Sequence, residues 1–241
     1  MSTTPNEKSE LQSLMDAFLP DLNETARNRL ILFADRLEET NKQFNLTALT
    51  DPRDVVLLHF YDALTLLRTG LFLPGKTVID IGTGAWIPAF PLAACSECAV
   101  TANDATAKKL GFLSDVAAEA GIKNLRTLNG RAEELSRDPK YRESYDIAVS
   151  RGVARLNVLL EWCLPLVRPN GYFVAMKGSG GPEELREAEH ALAELGGTCE
   201  TVLECPIPEA DRLHTLIVIK KTGRTDPKYT RPNGRIKKKP L

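Results

Sequence analysis

Hydrophobic positions along the chain follow two different rhythms. From Asn23 to Phe44 the residues Leu30, Ile31, Phe33, Ala34 and Leu37 recur at helical spacing, while Arg27, Arg29, Asp35, Glu38 and Glu39 occupy the intervening positions. Asn23 precedes Glu24 as an N-cap; a shorter helix is predicted from Ser9 to Leu19, ended before Pro20, and a third from Asp54 to Arg68, closed by Gly70. Beyond Pro74-Gly75 the pattern becomes strand, loop, helix. Short β-rich runs lie at Thr77 to Ile81, Ala99 to Asn103, Leu125 to Leu128, Tyr145 to Val149, Tyr172 to Met176, Thr198 to Glu204 and His214 to Lys220. Helical patterns separate them at Lys108 to Ala120, Asn157 to Val167 and Glu183 to Leu195. This alternation implies a parallel sheet covered on both faces, because each parallel crossover needs a long connection. The last two strands are joined only by Cys205 to Leu213 and can pair antiparallel.

The chain therefore divides into an N-terminal helical extension (1–74), an α/β core (75–221) and a basic C-terminal tail (222–241). Seven strands ending in a hairpin form the Rossmann-like layout of class I S-adenosylmethionine (SAM) dependent methyltransferases, an analogy of fold that carries no activity by itself. A hydrophobic content of 43% with 26% charged residues excludes a disordered or fibrous chain. The apolar stretch from Val55 to Leu73 is interrupted by His59, Asp62 and Arg68, so no bilayer span is expected. MSTTPNEKSE lacks a basic start followed by an apolar segment, which predicts a cytoplasmic protein without a signal peptide. Five cysteines without framework spacing predict free thiols. The Cys95-Ser-Glu-Cys98 pair has no second pair at ligand spacing, so no metal site is expected.

A formal net charge of −1 conceals a strong polarity. From Lys220 to Leu241 nine Lys and Arg face one acid, Asp226, giving +8; the preceding 219 residues hold 22 basic and 31 acidic side chains, giving −9. With Pro227, Pro232, Gly234 and Pro240 opposing a regular helix, the tail reads either as a flexible arm that condenses on phosphates or as a solvated terminus. Arg53, Lys108 and Lys109 are further candidates for phosphate contact.

The strongest local signal is VIDIGTGAWIPAFPLAA, Val78 to Ala94. A strand ends at Asp80, Gly82 and Gly84 permit a tight turn close to a ligand, and an apolar helix follows. The stretch lacks the third glycine of a dinucleotide loop, since Ile87 stands there. Asp104 follows the second strand, where a carboxylate can accept the hydroxyls of a ribose or merely cap a helix. The turn Asn129 to Glu134 could read an adenine edge or simply start a helix. Arg151, in Val149-Ser150-Arg151-Gly152, offers a planar cation for an anion or purine, or a structural ion pair; Lys177 is similar but weaker.

Taken together, NKQFNLTALTDPRDVVLLHFYDAL, VIDIGTGAWIPAFPLAA, NDATAKKLGFL, NGRAEEL, VSRGVARL, MKG and KYTRPNGRIKKKPL resemble the RsmG (GidB) family of bacterial small-subunit ribosomal RNA guanine-N7 methyltransferases. The N-terminal segment with Asn45-Leu46-Thr47 and His59-x-x-Asp62 is the most diagnostic part. The resemblance implies SAM as cofactor, held at Gly82, Ile87, Ala132, Glu133 and Arg151 with Asp104 on the ribose side. It also implies small-subunit rRNA or the ribosomal subunit as partner and N7 of one guanine as acceptor. Asp80 and Gly84 complete the expected cofactor loop, and Arg151 is the expected catalytic residue through orientation of cofactor or RNA. Trp86 and Ala89 stand where the family has glycine, and Ala63 where it has serine; an indole at position 86 is expected to crowd the cofactor's methionine end or stack on it. A SAM-dependent small-molecule methyltransferase and a non-catalytic RNA-binding protein on the same scaffold are the alternatives.

Overall fold

The computed structural model describes residues 5–44, 47–210 and 213–241. Helices α1 (Pro5–Phe18) and α2 (Glu24–Phe44) open the chain. Asn23 Oδ1 accepts the Ala26 amide at 2.8 Å, the cap that its place before Glu24 predicts. The third helical segment is composite: α3 (Pro52–Asp54), a π-helical stretch (Val55–Tyr61), α4 (Asp62–Leu64) and a 3-10 stretch (Thr65–Thr69) ending at left-handed Gly70. A single regular helix was the expectation from periodicity. The wider π turn and complete enclosure instead bury six consecutive residues, Val55 to Phe60, which no one-sided amphipathic pattern announces.

The core is one seven-stranded sheet of β1 (Thr77–Ile81), β2 (Ala99–Asp104), β3 (Leu125–Asn129), β4 (Tyr145–Arg151), β5 (Val167–Lys177), β6 (Gly197–Pro206) and β7 (Leu213–Lys221). Their order is β3-β2-β1-β4-β5-β7-β6. The first five are parallel; β7 runs antiparallel to both β5 and β6, as the short link between the last two strands requires. The connecting helices are α5 (Ala89–Cys95), α6 (Ala107–Glu119), α7 (Ala132–Leu135), α8 (Leu156–Cys163), α9 (Gly181–Glu187) and α10 (Glu189–Leu195). The predicted helix from Glu183 to Leu195 is thus two, divided at Ala188, whose amide is shared between the Glu184 and Leu185 carbonyls.

Alternation along the strands sends Val78, Val149, Val174 and Val218 to one face and Ile79, Ala148, Phe173 and Ile217 to the other. On the first face the N-terminal helices share a continuous apolar cluster with α5 and α6. Phe33 of α2 stacks on Phe90 at 4.3 Å between centroids and meets Trp86 edge-on at 5.6 Å; Trp86 in turn stacks on Phe112 at 4.9 Å. These rings join the extension to the sheet.

The basic tail, read from its sequence either as a flexible arm or as a solvated terminus, is ordered against the core. It folds back over α8 and ends in a short helix, α11 (Asn233–Lys238), with Pro232 just before its first turn, where proline does no harm. Ile236 enters the second apolar cluster. Arg231 makes a forked ion pair with buried Glu161, with Nε at 2.6 Å from Oε2, and the Leu241 amide donates to the same carboxylate at 3.1 Å. Lys221, also buried, donates to the Leu164 carbonyl at 2.8 Å. The charge polarity read along the chain is therefore partly satisfied within it.

All five cysteines are free, and among the described residues no cluster of His, Cys, Asp or Glu could hold a metal. No helix of the described residues is long and apolar enough to cross a membrane.

Because Glu161 is 3% exposed and holds Arg231 by two bonds, Glu161→Ala strands a buried guanidinium. It should lower the stability read by urea denaturation by about 3–5 kcal/mol, whereas Glu200→Ala at the exposed Lys220 pair should cost less than about 1 kcal/mol.

Candidate active site

The loops at the carboxyl edge of the parallel strands are tied to one another through β2. The Asn103 carbonyl accepts the Gly82 and Thr83 amides at 3.0 and 2.9 Å, while its side-chain amide donates to the Leu128 and Gly130 carbonyls, both at 2.9 Å. Asp104 Oδ2 accepts the Gly84 amide at 3.2 Å and Oδ1 accepts the Thr106 amide at 2.8 Å. Gly130 N and Asn129 Nδ2 donate to the Asp104 carbonyl. The three loops enclose a cavity lined by Gly82, Asp104, Ala105, the turn from Gly130 to Glu133, and Val153. Trp162 of α8 and Asn233 and Lys237 of α11 complete the wall. Gly82 has φ +74°, and a Cβ there would stand 2.7 Å from Val153 Cγ2, so the loop admits only glycine at this point.

Of the predicted residues, Gly82, Asp104, Ala132 and Glu133 line this cavity together. Asp80, Gly84, Ile87 and Arg151 do not. Asp80 lies fully buried beneath the loop, where Oδ2 accepts the Ala89 amide at 3.2 Å and Oδ1 finds no partner among the described residues. Burial pushes its carboxyl up to about 7, against the lowering influence of Thr83, the Ala89 amide and Arg151. Its position suits an anchor for the start of α5. Gly84 acts through its amide on Asp104, and Ile87 belongs to the core.

Trp86 corrects the expectation of a crowded cofactor. Its indole is completely buried, away from the cavity lining, stacked on Phe112 and donating Nε1 to the Lys109 carbonyl at 3.0 Å. The backbone supplies the reason that glycine suits this position: Trp86 has φ +68°, a left-handed conformation that costs a side-chain-bearing residue about 1–2 kcal/mol. Burial of an indole among aromatic rings offsets that cost. Ala89, also fully buried, simply begins α5.

Arg151 turns toward the N-terminal extension. Nη1 donates to the Leu58 carbonyl at 2.7 Å and to Asp62 Oδ2 at 2.9 Å, and Nη2 lies 3.3 Å from His59 Nδ1. Asp62 Oδ1 receives His214 Nδ1 at 2.7 Å, and His59 Nε2 lies 3.2 Å from Thr47 Oγ1. His59 Nδ1 lies 3.3 Å from the Leu58 carbonyl as well as 3.3 Å from Arg151 Nη2, so the carbonyl calls for a proton on this nitrogen and the guanidinium for its lone pair. Burial first, and then Arg151, lowers the His59 pKa to about 4, keeping the ring neutral. Two turns of the composite helix, the end of β4 and the start of β7 thus converge on one polar cluster. Asn45 and Leu46, the rest of the diagnostic segment around Thr47, lie outside the described residues.

The family model for rRNA small subunit methyltransferase G matches residues 26–212. The chain belongs to this methyltransferase family. Relatives named Ribosomal RNA small subunit methyltransferase G are 39% identical over 96% of this chain and 97% of theirs in Clostridium botulinum (strain ATCC 19397 / Type A), and 40% identical over 92% and 94% in Lactobacillus johnsonii. Among solved structures, the YcgJ protein from Bacillus subtilis superposes with a TM-score of 0.52 at 16% identity, covering 70% of this chain and 100% of that one. A geranyl diphosphate methyltransferase solved with GPP and sinefungin gives 0.51 at 16% identity, covering 66% and 76%. These likenesses are of fold, and with the strand order they bear out the class I methyltransferase architecture expected from the sequence.

Sequence reasoning missed Asn103, Trp162, Asn233, Lys237 and His214. Asn103 and His214 stand near strand ends, but only the sheet order shows what they face; Lys237 was absorbed into a count of tail charges, and uncharged Asn233 stood unremarked within the terminal segment. Of the cations nominated for phosphate contact, Arg53 is paired with Glu209, while Lys108 and Lys109 lie in the first turn of α6.

The buried His59 has a consequence for acid stability. Between its folded value near 4 and its ordinary 6.5 the unfolded chain binds a proton that the native chain does not, so stability rises with pH across this window and is lost as pH falls. Asp80, raised to about 7, works in the opposite direction in any variant that retains it. Asp80 acts equally in both proteins, so between pH 6.5 and 4 the urea-derived stability of His59→Gln should rise relative to that of wild type as pH falls, by up to about 1.4 kcal/mol per pH unit; parallel curves would exclude a buried neutral imidazole.

Proposed function

We propose that the chain transfers a methyl group from SAM to N7 of a guanine in small-subunit ribosomal RNA. The observation that carries this reading is the cavity at the carboxyl edge of the sheet, formed by the family's own segments around Gly82, Asp104 and Ala132-Glu133. Its residues fit a nucleoside. Each Asp104 oxygen accepts one backbone amide, which leaves lone pairs for two ribose hydroxyls, and the closeness of Val153 leaves no room for a Cβ at Gly82, so the loop backbone itself faces the cavity there. The absence of a pyrophosphate-type third glycine agrees with a cofactor that has no pyrophosphate.

SAM, when bound, supplies a sulfonium-activated methyl group, which a purine N7 can take with its ring lone pair and without releasing a proton. No side chain need act as a general base, and the work left to the protein is positioning. Arg151 suits that task. Pinned to Asp62, the Leu58 carbonyl and His59, it fixes the end of β4 against the composite helix at the edge of the sheet that bears the cavity. Its partnership with Asp62 also limits the positive field at a purine that itself gains positive charge. For the RNA, the exposed Arg131 and Lys237 line the cavity, and the exposed Arg235 and Lys238 share α11 with Lys237. A cytoplasmic location follows from such a substrate.

Labelled SAM incubated with small subunits lacking the modification should deliver label to rRNA, at a site cleaved by chemistry selective for N7-methylguanine. Label on a metabolite with none on RNA would favour the small-molecule alternative, and failure to bind SAM at all would favour a non-catalytic RNA-binding role. Gly82→Ala should abolish measurable SAM binding by calorimetry. Arg151→Lys, which keeps the charge and loses the planar fork, should lower turnover on the order of ten-fold with the pH profile unchanged; a new ionisation near neutrality would assign Arg151 or its neighbours to proton transfer.

A further inference from the structure

Where the folded tail meets α8, two polar atoms find no partner among the described residues. Trp162 is 7% exposed, yet its Nε1 donor has no hydrogen-bond partner among the described residues, and the same holds for the buried Oδ1 of Asn233. Both residues line the cavity that holds Asp104 and the turn from Gly130 to Glu133. An unmet donor and an unmet acceptor in one buried wall are costly unless a ligand completes them.

We propose that the C-terminal segment is a wall of the cofactor site, in which the Asn233 amide and the Trp162 indole recognise the adenine of SAM. This rests on the reading of the cavity as a SAM site. Asp104 marks the ribose end, and the methionine end carries an ammonium and a carboxylate, which call for charged or multiple backbone partners. A neutral donor and a neutral acceptor lining one cavity suit a 6-aminopurine, whose exocyclic N–H lies next to a ring nitrogen lone pair. A 6-oxopurine presents a carbonyl beside a ring N–H at the corresponding edge, so the pair discriminates between the two.

The wall is held in place before any ligand arrives. Glu161 clamps Arg231 and the Leu241 amide; Arg137 donates to the Thr230 carbonyl at 3.1 and 2.8 Å and Arg142 to the Thr225 carbonyl at 2.7 Å. Ile236 packs into the second cluster, and Lys237 Nζ, from the same short helix as Asn233, lies 5.7 Å from the Trp162 ring centroid. Such pre-organisation turns a cationic tail into a specificity element.

The test is calorimetric titration of the full chain with S-adenosylhomocysteine and with its inosine counterpart. Wild type should favour the adenosine ligand by about ten-fold or more, and Asn233→Ala and Trp162→Phe should each weaken it about ten-fold and narrow the preference. Trp162→Phe removes a buried ring atom pair and is checked for folding by circular dichroism; Asn233→Ala, at a half-buried position, keeps the test intact if it unfolds. Wild-type affinity and preference in Asn233→Ala would overturn the role of the tail while leaving the cofactor reading in place. A wild-type chain that binds neither ligand nor SAM would overturn that reading and this inference with it.

Discussion

One asparagine governs the working edge of the sheet. Asn103 uses its main chain to hold the loop after β1 and its side chain to hold the loop after β3, from a position that is almost completely buried. Every other feature of the cavity depends on those bonds. With the β1 loop secured, Gly84 can present its amide to Asp104; with the β3 turn secured, Gly130 to Glu133 can face the same space. A buried side-chain amide that satisfies two carbonyls at the end of β3 is a costly group to disturb, because each lost bond leaves a carbonyl without water.

The two additions to the core serve its two sides. The N-terminal helices close the first face through Phe33, Phe90 and Trp86 and send Asp62 and His59 to Arg151, so the extension reaches the site by packing and by polar contact together. The tail closes the other face through Ile236 and Glu161 and reaches the same cavity from α8. Neither addition is a separate module hung on a finished domain.

What could be read from the sequence follows from the range of the forces involved. Strand positions and the antiparallel end of the sheet were legible, because alternation and connection length are local. That Gly82 and Asp104 face one cavity was legible from local loop chemistry, whereas Ala132-Glu133 entered through the family resemblance of its segment. The π-helical stretch was not, since Val55 to Phe60 are buried on all sides and leave no period to detect. The tail was misread because a charge count omits partners: Arg231 is satisfied by Glu161, 70 residues earlier. Trp86 misled for the opposite reason. Its place in a glycine loop suggested a side chain in the pocket, whereas a left-handed backbone directs it into the interior.

The chain has two tryptophans, and the fold sets them in different surroundings. Trp86 is sealed between α2 and α6, where its emission depends on the N-terminal helices staying docked; Trp162 borders the cavity together with Asn233, with Lys237 over its ring. Intrinsic fluorescence is thereby divided between two reporters. One senses whether the extension is attached to the sheet, the other whether the space at the sheet's edge is filled, and neither needs an introduced label.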